Sequence, residues 1–594
     1  MDIDDIDHLT IRLNALGVNK YPAKQHARAV AKILGGNCGV IYLLGQYALD
    51  IEDSDQPKTW RQRRYFYYCS GVDVANCCLT YNIATDILTL YIPPIVMERV
   101  IWNGPGLTIE EAYEQYDIDS VRYNNHVSTD LKYWQTSSPN ATFYALHDDH
   151  RPLDKNFKPA NLDIEKLLPA IDACRAVKDS YEIDIIRKAN HISTLAHRAV
   201  LENIHKFKNE AQIQGMFEDI CISKYAKQSY QVIAGSGENA STLHYIANNE
   251  SLQGRQLVCL DAGAEFQCYA SDVTRTFPIS GNWPSKEAKE VYDIVKEMQE
   301  TVINMLKPGV HYLDCHILCH KIAIDGLLRL GILHGATREQ LYEKGTSKGF
   351  FPHGLGHHLG LEVHDVLGIP IMRYSPSVTC PVLNPAMSFA PCSEDSPKLQ
   401  EGMVITVEPG IYFPRFALET FYLNSPIHSK YINKDVLERY WAVGGVRIED
   451  DILITADGHE NLTTAPKGEE AMKIIRSSKD SGSSLHLSTE TISPPLTISS
   501  KPSELPPINE MDQRAEQIGA KIAEALKLLT EAKRKGLEKP EEAKKLLREA
   551  KRELVRQGRE WQNFEEAVDA KLKERRMVSE NHLLAMNNGF KTTS

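Results

Sequence analysis

The first part of the chain is a succession of short apolar runs broken by turn residues. GVIYLLG, YFYYCSG, CCLTYNIATDILTLYIPP and ATFYALHDD are rich in β-branched and aromatic side chains and are punctuated by Gly, Asn-Ile-Ala-Thr-Asp and Pro-Pro. Such runs read as strands, and AKQHARAVAKIL ahead of them has helical spacing. The pattern predicts an α/β domain over residues 1–165.

At RAVKDSYEIDIIRKANHISTLAHRAVLENI the apolar period lengthens to about 3.6 residues. Ile183, Ile186, Ala189, Ile192 and Ala196 fall on one helical face. A second domain is expected over residues 170–470, mixing long helices (Lys286 to Met305, Leu313 to Leu330) with strand segments that end in acidic residues. RSSKDSGSSLHLSTETISPPLTISSKPSELPP has little apolar area to bury, so residues 476–508 read as a disordered linker. Residues 510–580 are rich in Ala, Glu, Lys, Leu and Arg. Lys535-Gly536 can close one helix and Pro540 can open another, and Ala543, Leu547, Ala550, Leu554, Trp561 and Phe564 keep a three-four spacing. A helical hairpin or coiled-coil tail is expected, either docking a protein partner or standing solvated by itself.

Composition adds boundaries. The 594 residues are 42% hydrophobic and 25% charged, ordinary values for soluble domains with real cores. A formal charge of -12 opposes a general role on nucleic acid or anionic membranes. No apolar run approaches the roughly eighteen residues of a membrane span, and MDIDDIDHLT is acidic where a signal peptide is basic, so the cytoplasm is the expected compartment. The 12 cysteines form no C-x-x-C pair, which suits reduced thiols. In HYLDCHILCHK, Cys315 and Cys319 lie four apart, as do His316 and His320, a spacing that offers a soft metal site. The plainer alternative is a helix with Leu313, Ile317 and Leu318 packed inward and its histidines partly exposed.

The acids carry more chemistry. Asp261 in QLVCLDAGAEF and Asp272 in CYASDVTRTF belong to two strand-like runs that a hairpin can bring together. Glu408 ends the apolar run MVITVEPG, and Glu449 falls inside GGVRIEDDILIT. Carboxylates at the ends of apolar strands are costly unless paired or coordinated. Four of them, together with four histidines and three glycines in the fifteen residues FPHGLGHHLGLEVHD, point to bound cations. Arg447 is two residues from Glu449 on the same strand face and can orient or neutralise the group. Two divalent ions bridged by carboxylates, with one imidazole, generate hydroxide at neutral pH and polarise the bond it attacks. Such oxygen-rich ligation suits manganese and tolerates cobalt or zinc.

LDAG at 260–263, SDVTRTF at 271–277, HGLGHHLG at 353–360, VHD at 363–365, VEPG at 407–410 and GGVRIED at 444–450 occur in the order that resembles the pita-bread metallopeptidases. With YPAKQHARAV, RQRRYFYYCSG and NLTTAPK, the match is similar to the fungal Xaa-Pro aminopeptidase and prolidase branch of peptidase family M24B. The resemblance implies a creatinase-like α/β N-terminal domain followed by an α+β pita-bread catalytic domain, usually in a homodimer. It implies two divalent metals, most simply manganese, bound by Asp261, Asp272, His357, Glu408 and Glu449. Asp272 and Glu449 would bridge the pair, Asp261 would cap one ion, and His357 and Glu408 the other. Glu408 would also carry a proton from the attacking water to the leaving proline nitrogen. His244 and His364 would meet the substrate and its developing oxyanion, with Arg447 in support. His353 would brace the loop and His358 would be a bystander.

The activity implied is hydrolysis of the bond between an N-terminal residue and a penultimate proline, with such peptides as the partners. An Xaa-Pro dipeptidase is the alternative within the class, and a non-catalytic pita-bread binding module the alternative outside it. Prolidases grip the dipeptide's carboxylate with an arginine about fourteen positions before the Glu408 equivalent; here an ungapped count reaches Glu394, which would repel it. That favours the aminopeptidase. All five ligand positions are intact, which disfavours the binding module.

Overall fold

β1 (Gly39–Leu44) is buried along its whole length inside a six-stranded sheet of the computed structural model, which describes residues 20–150, 157–372 and 396–480. β2 (Cys78–Asn82), β3 (Ile87–Ile92), β4 (Ser120–Tyr123), β5 (Thr142–Tyr144) and β6 (Leu162–Asp163) complete the order β4-β3-β2-β1-β5-β6. The β1-β2-β3 core is antiparallel and the outer pairings are parallel. α1 (Ala23–Leu34) buries Ala23, Ala27 and Val30 and ends on Gly35 at φ 72, the left-handed cap that glycine adopts without strain. YFYYCSG, expected as a strand, is instead α2 (Arg64–Ser70). Its residues are buried nearly all round, and a short wholly apolar run has no periodicity to separate helix from strand.

α3 (Leu167–Ala176) leads to α4 (Ser180–Asn203), which starts in a capping box between Asp179 and Glu182. Ile186, Ala189, Ile192 and Ala196 face inward as their spacing predicts, while Ile183 is half-buried at the edge. α5 (Glu210–Ser223) follows. The strands of this domain are β7 (Lys227–Gln228), β8 (Ile233–Ser236), β9 (Leu257–Asp261), β10 (Ala264–Phe266), β11 (Tyr269–Ala270), β12 (Thr274–Pro278), β13 (Val404–Val407), β14 (Gly410–Tyr412), β15 (Gly445–Arg447), β16 (Asp450–Ile454) and β17 (His459–Asn461). All their pairings are antiparallel, in the groups β12-β9-β8, β11-β10-β7, β13-β16-β17 and β14-β15. The groups are stitched together where Thr276 Oγ1 donates to Arg447 O and accepts Arg447 N–H. Glu449 N–H also donates to Thr274 O at 3.1 Å.

α6 (Lys286–Ile303) and α7 (Tyr312–Arg329) back these strands through one shared core. The inward face of α7 is Tyr312, Cys315, His316, Cys319, His320 and Ala323; Ile317 and Leu318 are only half-buried. Both histidines, expected to be partly exposed, pack on Phe351 with ring centroids 5.5 and 4.8 Å away. Among the described residues the Cys315, His316, Cys319 and His320 quartet does not gather as a metal-holding group, and the described thiols are free. α8 (Glu469–Asp480) buries Ala471, Met472 and Ile475, so helix continues past residue 476, where a linker was expected. The rest of that linker and the 510–580 tail lie outside the described residues. No described helix is long and apolar enough to cross a membrane.

Candidate active site

Five segments deliver the acidic and imidazole groups to one place. Asp261 is the last residue of β9 and pairs with Thr274 of β12; Asp272 precedes that strand by two residues. Glu408 follows β13 directly. Glu449 is not inside a strand but in the break between β15 and β16. That break keeps its backbone satisfied, because Arg275 Nη1 donates to Glu449 O at 2.7 Å. His357 comes from a loop laid along β13, where Thr406 N–H donates to His357 O at 2.9 Å. The approach requires glycine next door: a Cβ on Gly356 would stand 2.1 Å from Thr406 O.

Asp272, His357 and Glu449 offer ligand atoms that all lie within 4.8 Å of one another. His357 Nε2 is 3.4 Å from Asp272 Oδ2 and 3.3 Å from Glu408 Oε1. Its Nδ1 lies 3.0 Å from His358 O, and a carbonyl can only accept, so Nδ1 carries a proton and Nε2 is the nitrogen turned to the carboxylates and free to act as a ligand. Burial would lower the imidazole pKa, yet hydrogen bonding to Asp272 and Glu408 raises it well above 6.5. The pocket therefore asks for positive charge at Nε2, whether a proton or a metal.

A ring of donors fixes the carboxylates. Tyr230 Oη lies 2.6 Å from both Asp261 Oδ1 and Asp272 Oδ1. Thr274 Oγ1 donates to Glu449 Oε2 at 2.6 Å. Arg447 donates Nη2–H to Asp261 Oδ2 at 2.6 Å, Nη1–H to Tyr412 Oη at 2.9 Å and Nε–H to Thr274 Oγ1 at 3.2 Å. Behind the cluster, Asp451 Oδ2 accepts Asp272 N–H at 3.0 Å and Asn190 Nδ2–H at 2.8 Å.

The charges do not balance. Burial raises Glu449 well above the carboxylate range, and repulsion from Asp272, Glu408 and Asp261 adds to it, while Arg447 offsets only part. Burial raises Asp261 as well, against the pull of Arg447. Burial also works to raise Glu408, but its hydrogen bond with His357 wins and holds it at about 2. Four clustered carboxylates with one guanidinium and a basic imidazole form a donor set that fits a pair of hard divalent cations.

These groups line one cavity of about 580 Å³ that also presents His244, His353 and His364, with Ile233, Leu243, Ile246 and Val363 as apolar wall. The His364 ring meets His357 edge-on at 4.3 Å between centroids. Burial and the neighbouring His357 hold its pKa below the ordinary value.

Residues 184–456 match metallopeptidase family M24, and residues 23–144 match the N-terminal domain of aminopeptidase P. A probable Xaa-Pro aminopeptidase of Pyrenophora tritici-repentis is 56% identical over 492 residues, which are 80% of this chain and 74% of that one. The chain belongs to metallopeptidase family M24. A second relative of this M24 chain, a probable Xaa-Pro aminopeptidase of Aspergillus clavatus, is 54% identical over 482 residues, covering 80% and 96% of the two chains. Among solved structures, aminopeptidase P from E. coli in a low-pH form superposes with a TM-score of 0.64 at 26% identity, over 78% of this chain and all of that one. A zinc-substituted form of the same enzyme in complex with product gives 0.63 over 77% and 99%. The M24 chain thus has the α/β N-terminal domain and pita-bread domain that its motifs implied.

Sequence reasoning missed several parts of the M24 site. His353 braces its loop as expected, with Nδ1 2.7 Å from Gly354 O, but it also faces the cavity, with Nε2 2.8 Å from Tyr412 Oη. Thr274 and Tyr412 carried a signal, since each lies an even number of residues from a site acid along extended chain. Asp451, two residues from Glu449, carried the same signal, and Tyr230 carried none. His358 lies buried beside Ile405, in keeping with a bystander. Glu394 lies outside the described residues. A second buried group, His26, Asp179 and Glu182, also has cation-holding spacing. Its atoms are already engaged: His26 bonds Tyr68 O at 2.8 Å and Asp179 at 3.0 Å, and Tyr269 donates to Glu182 at 2.9 Å.

Proposed function

We propose that this M24 protein is a metal-dependent Xaa-Pro aminopeptidase that removes the N-terminal residue of a peptide when proline stands second. The observation that carries the reading is the convergence of Asp261, Asp272, His357, Glu408 and Glu449 on a cavity that presents three further histidines. The names of the relatives support the substrate class. In this reading Asp261, Asp272, His357, Glu408 and Glu449 would hold two divalent ions. Bound there, such a pair would supply a nucleophilic water at neutral pH and a polarised scissile carbonyl.

The chain's own groups do the rest. Glu408, whose carboxyl the His357 hydrogen bond holds toward the ionised form, would accept a proton from the attacking water and return it to the proline nitrogen, which must be protonated to leave. His364 and His244 face the substrate space, where an N–H can meet the developing oxyanion. Arg447 keeps Asp261 turned toward the cluster. Manganese as the native metal, a homodimer as the assembly and the cytoplasm as the compartment complete the proposal. Its domains are residues 1–165 and 170–470, followed by the tail.

The test is an assay of protein stripped of metal and reloaded with manganese, on an Arg-Pro-Pro tripeptide and a Gly-Pro dipeptide side by side. Preference for the tripeptide is expected. Preference for the dipeptide would make the protein a prolidase, and no turnover of either would favour a binding module.

A further inference from the structure

The loop that carries His357 and His364 is held by charges outside the acidic cluster. Its first half is fixed through the backbone, where Thr406 N–H donates to His357 O, Leu359 N–H to Val404 O and Ala270 N–H to Gly360 O. Residues 361–366 lie on no strand. They end at Val366 with φ 43, a strained conformation for a β-branched residue that persists only where the surroundings enforce it.

Two acids flank His364, and each is gripped by a cationic pair from earlier in the chain. Glu362 Oε2 accepts Arg61 Nη1–H at 2.7 Å, and its Oε1 lies 3.5 Å from Arg64 Nε. Arg61 and Arg64 are themselves tied to buried Glu265. Asp365 accepts Arg175 Nη2–H at 2.5 Å and Lys178 Nζ–H at 3.3 Å, with all three side chains buried. The Arg175 guanidinium lies over the Tyr65 ring of α2 at 4.7 Å. Gly360 makes room for this arrangement, since a Cβ there would stand 2.4 Å from Asp365 Oδ2.

We infer that Arg61 and Arg64 of the N-terminal domain, with Arg175 and Lys178, are positioning residues that hold His364 over the cavity through Glu362 and Asp365. Arg61 and Glu362 are partly exposed, and an exposed pair contributes little to stability. The pair's worth lies in fixing where the loop sits, and a small misplacement of a group that meets substrate is costly. The N-terminal domain thereby takes part in catalysis without touching the reacting atoms. The inference rests on the role given above to His364.

The test uses full-length, manganese-loaded protein and the variants Arg61→Gln, Glu362→Gln, His364→Ala and the double Glu362→Gln/His364→Ala. Glu362→Gln is expected to lower kcat/KM on Arg-Pro-Pro by about tenfold or more, with metal content and melting temperature unchanged. The double variant is expected to be no slower than His364→Ala, because Glu362 acts through His364. Full activity of Glu362→Gln, or losses that multiply, would overturn the inference and leave the proposed function standing. Amide exchange gives a readout independent of turnover: residues 361–366 should exchange faster in Arg61→Gln and Glu362→Gln, with 404–407 unchanged. If the parent cleaves neither peptide, the proposed function fails; exchange still decides the clamp, and unaltered exchange at 361–366 sinks it.

Discussion

Arg447 reaches from β15 to β9 to donate Nη2–H to Asp261 Oδ2 over 2.6 Å. Its other two arms are taken by Thr274 and Tyr412, so the planar fork is used at three corners. An ammonium cannot reproduce that geometry. Arg447→Lys should therefore free Asp261 and weaken metal binding by about ten- to a hundredfold, the usual cost of losing a partner that orients a ligand. Calorimetric titration with manganese checks this; an affinity equal to the parent's would remove Arg447 from the site.

Tyr230 offers one hydroxyl to two buried aspartates. Without metal, that proton is a main relief of their repulsion. Tyr230→Phe should lower the stability of metal-stripped protein by about 1.5–3 kcal/mol, the range for hydrogen bonds to charged groups. Metal-loaded protein should lose less, because the ions then neutralise the pair. Urea unfolding of both forms gives the comparison, and equal losses in the two would contradict it.

Much of this was legible in the chain. The α1 helix and the strands β2 and β3 followed from period and turn residues, and Asp261 and Asp272 were placed together because two apolar runs with a short connection form neighbouring strands. What failed had physical reasons. YFYYCSG is apolar on every face, so burial gave it no period. The inward side of α7 is built from histidines and cysteines packed on Phe351, and residue type alone suggested exposure for the histidines. The Glu449 break depends on Arg275, a partner 174 residues away that no local pattern announces.

His26 in α1 joins the N-terminal domain to Asp179 and Glu182 at the start of α4. Burial pulls the imidazole pKa down, but the hydrogen bond to Asp179 and the nearby Glu182 raise it above 6.5 overall. A raised folded value means the native state holds the proton more tightly. The stabilisation is complete below about 6.5, the unfolded value, and is lost as pH rises through the folded value. Denaturant midpoints of the parent should fall over that window. His26→Gln should flatten the fall, and an unchanged slope in the variant would rule His26 out as its source.

In the proposed reaction Glu408 moves the proton of a metal-dependent cleavage before proline. Glu408→Gln keeps the shape and an oxygen donor but cannot accept that proton. The most direct measurement is turnover of Arg-Pro-Pro by manganese-loaded Glu408→Gln protein beside the parent, with bound metal counted in both. The expected result is retained metal and a kcat lower by about a hundred- to ten-thousandfold, the scale of general acid–base catalysis. Turnover near the parent's rate with metal in place would contradict the account.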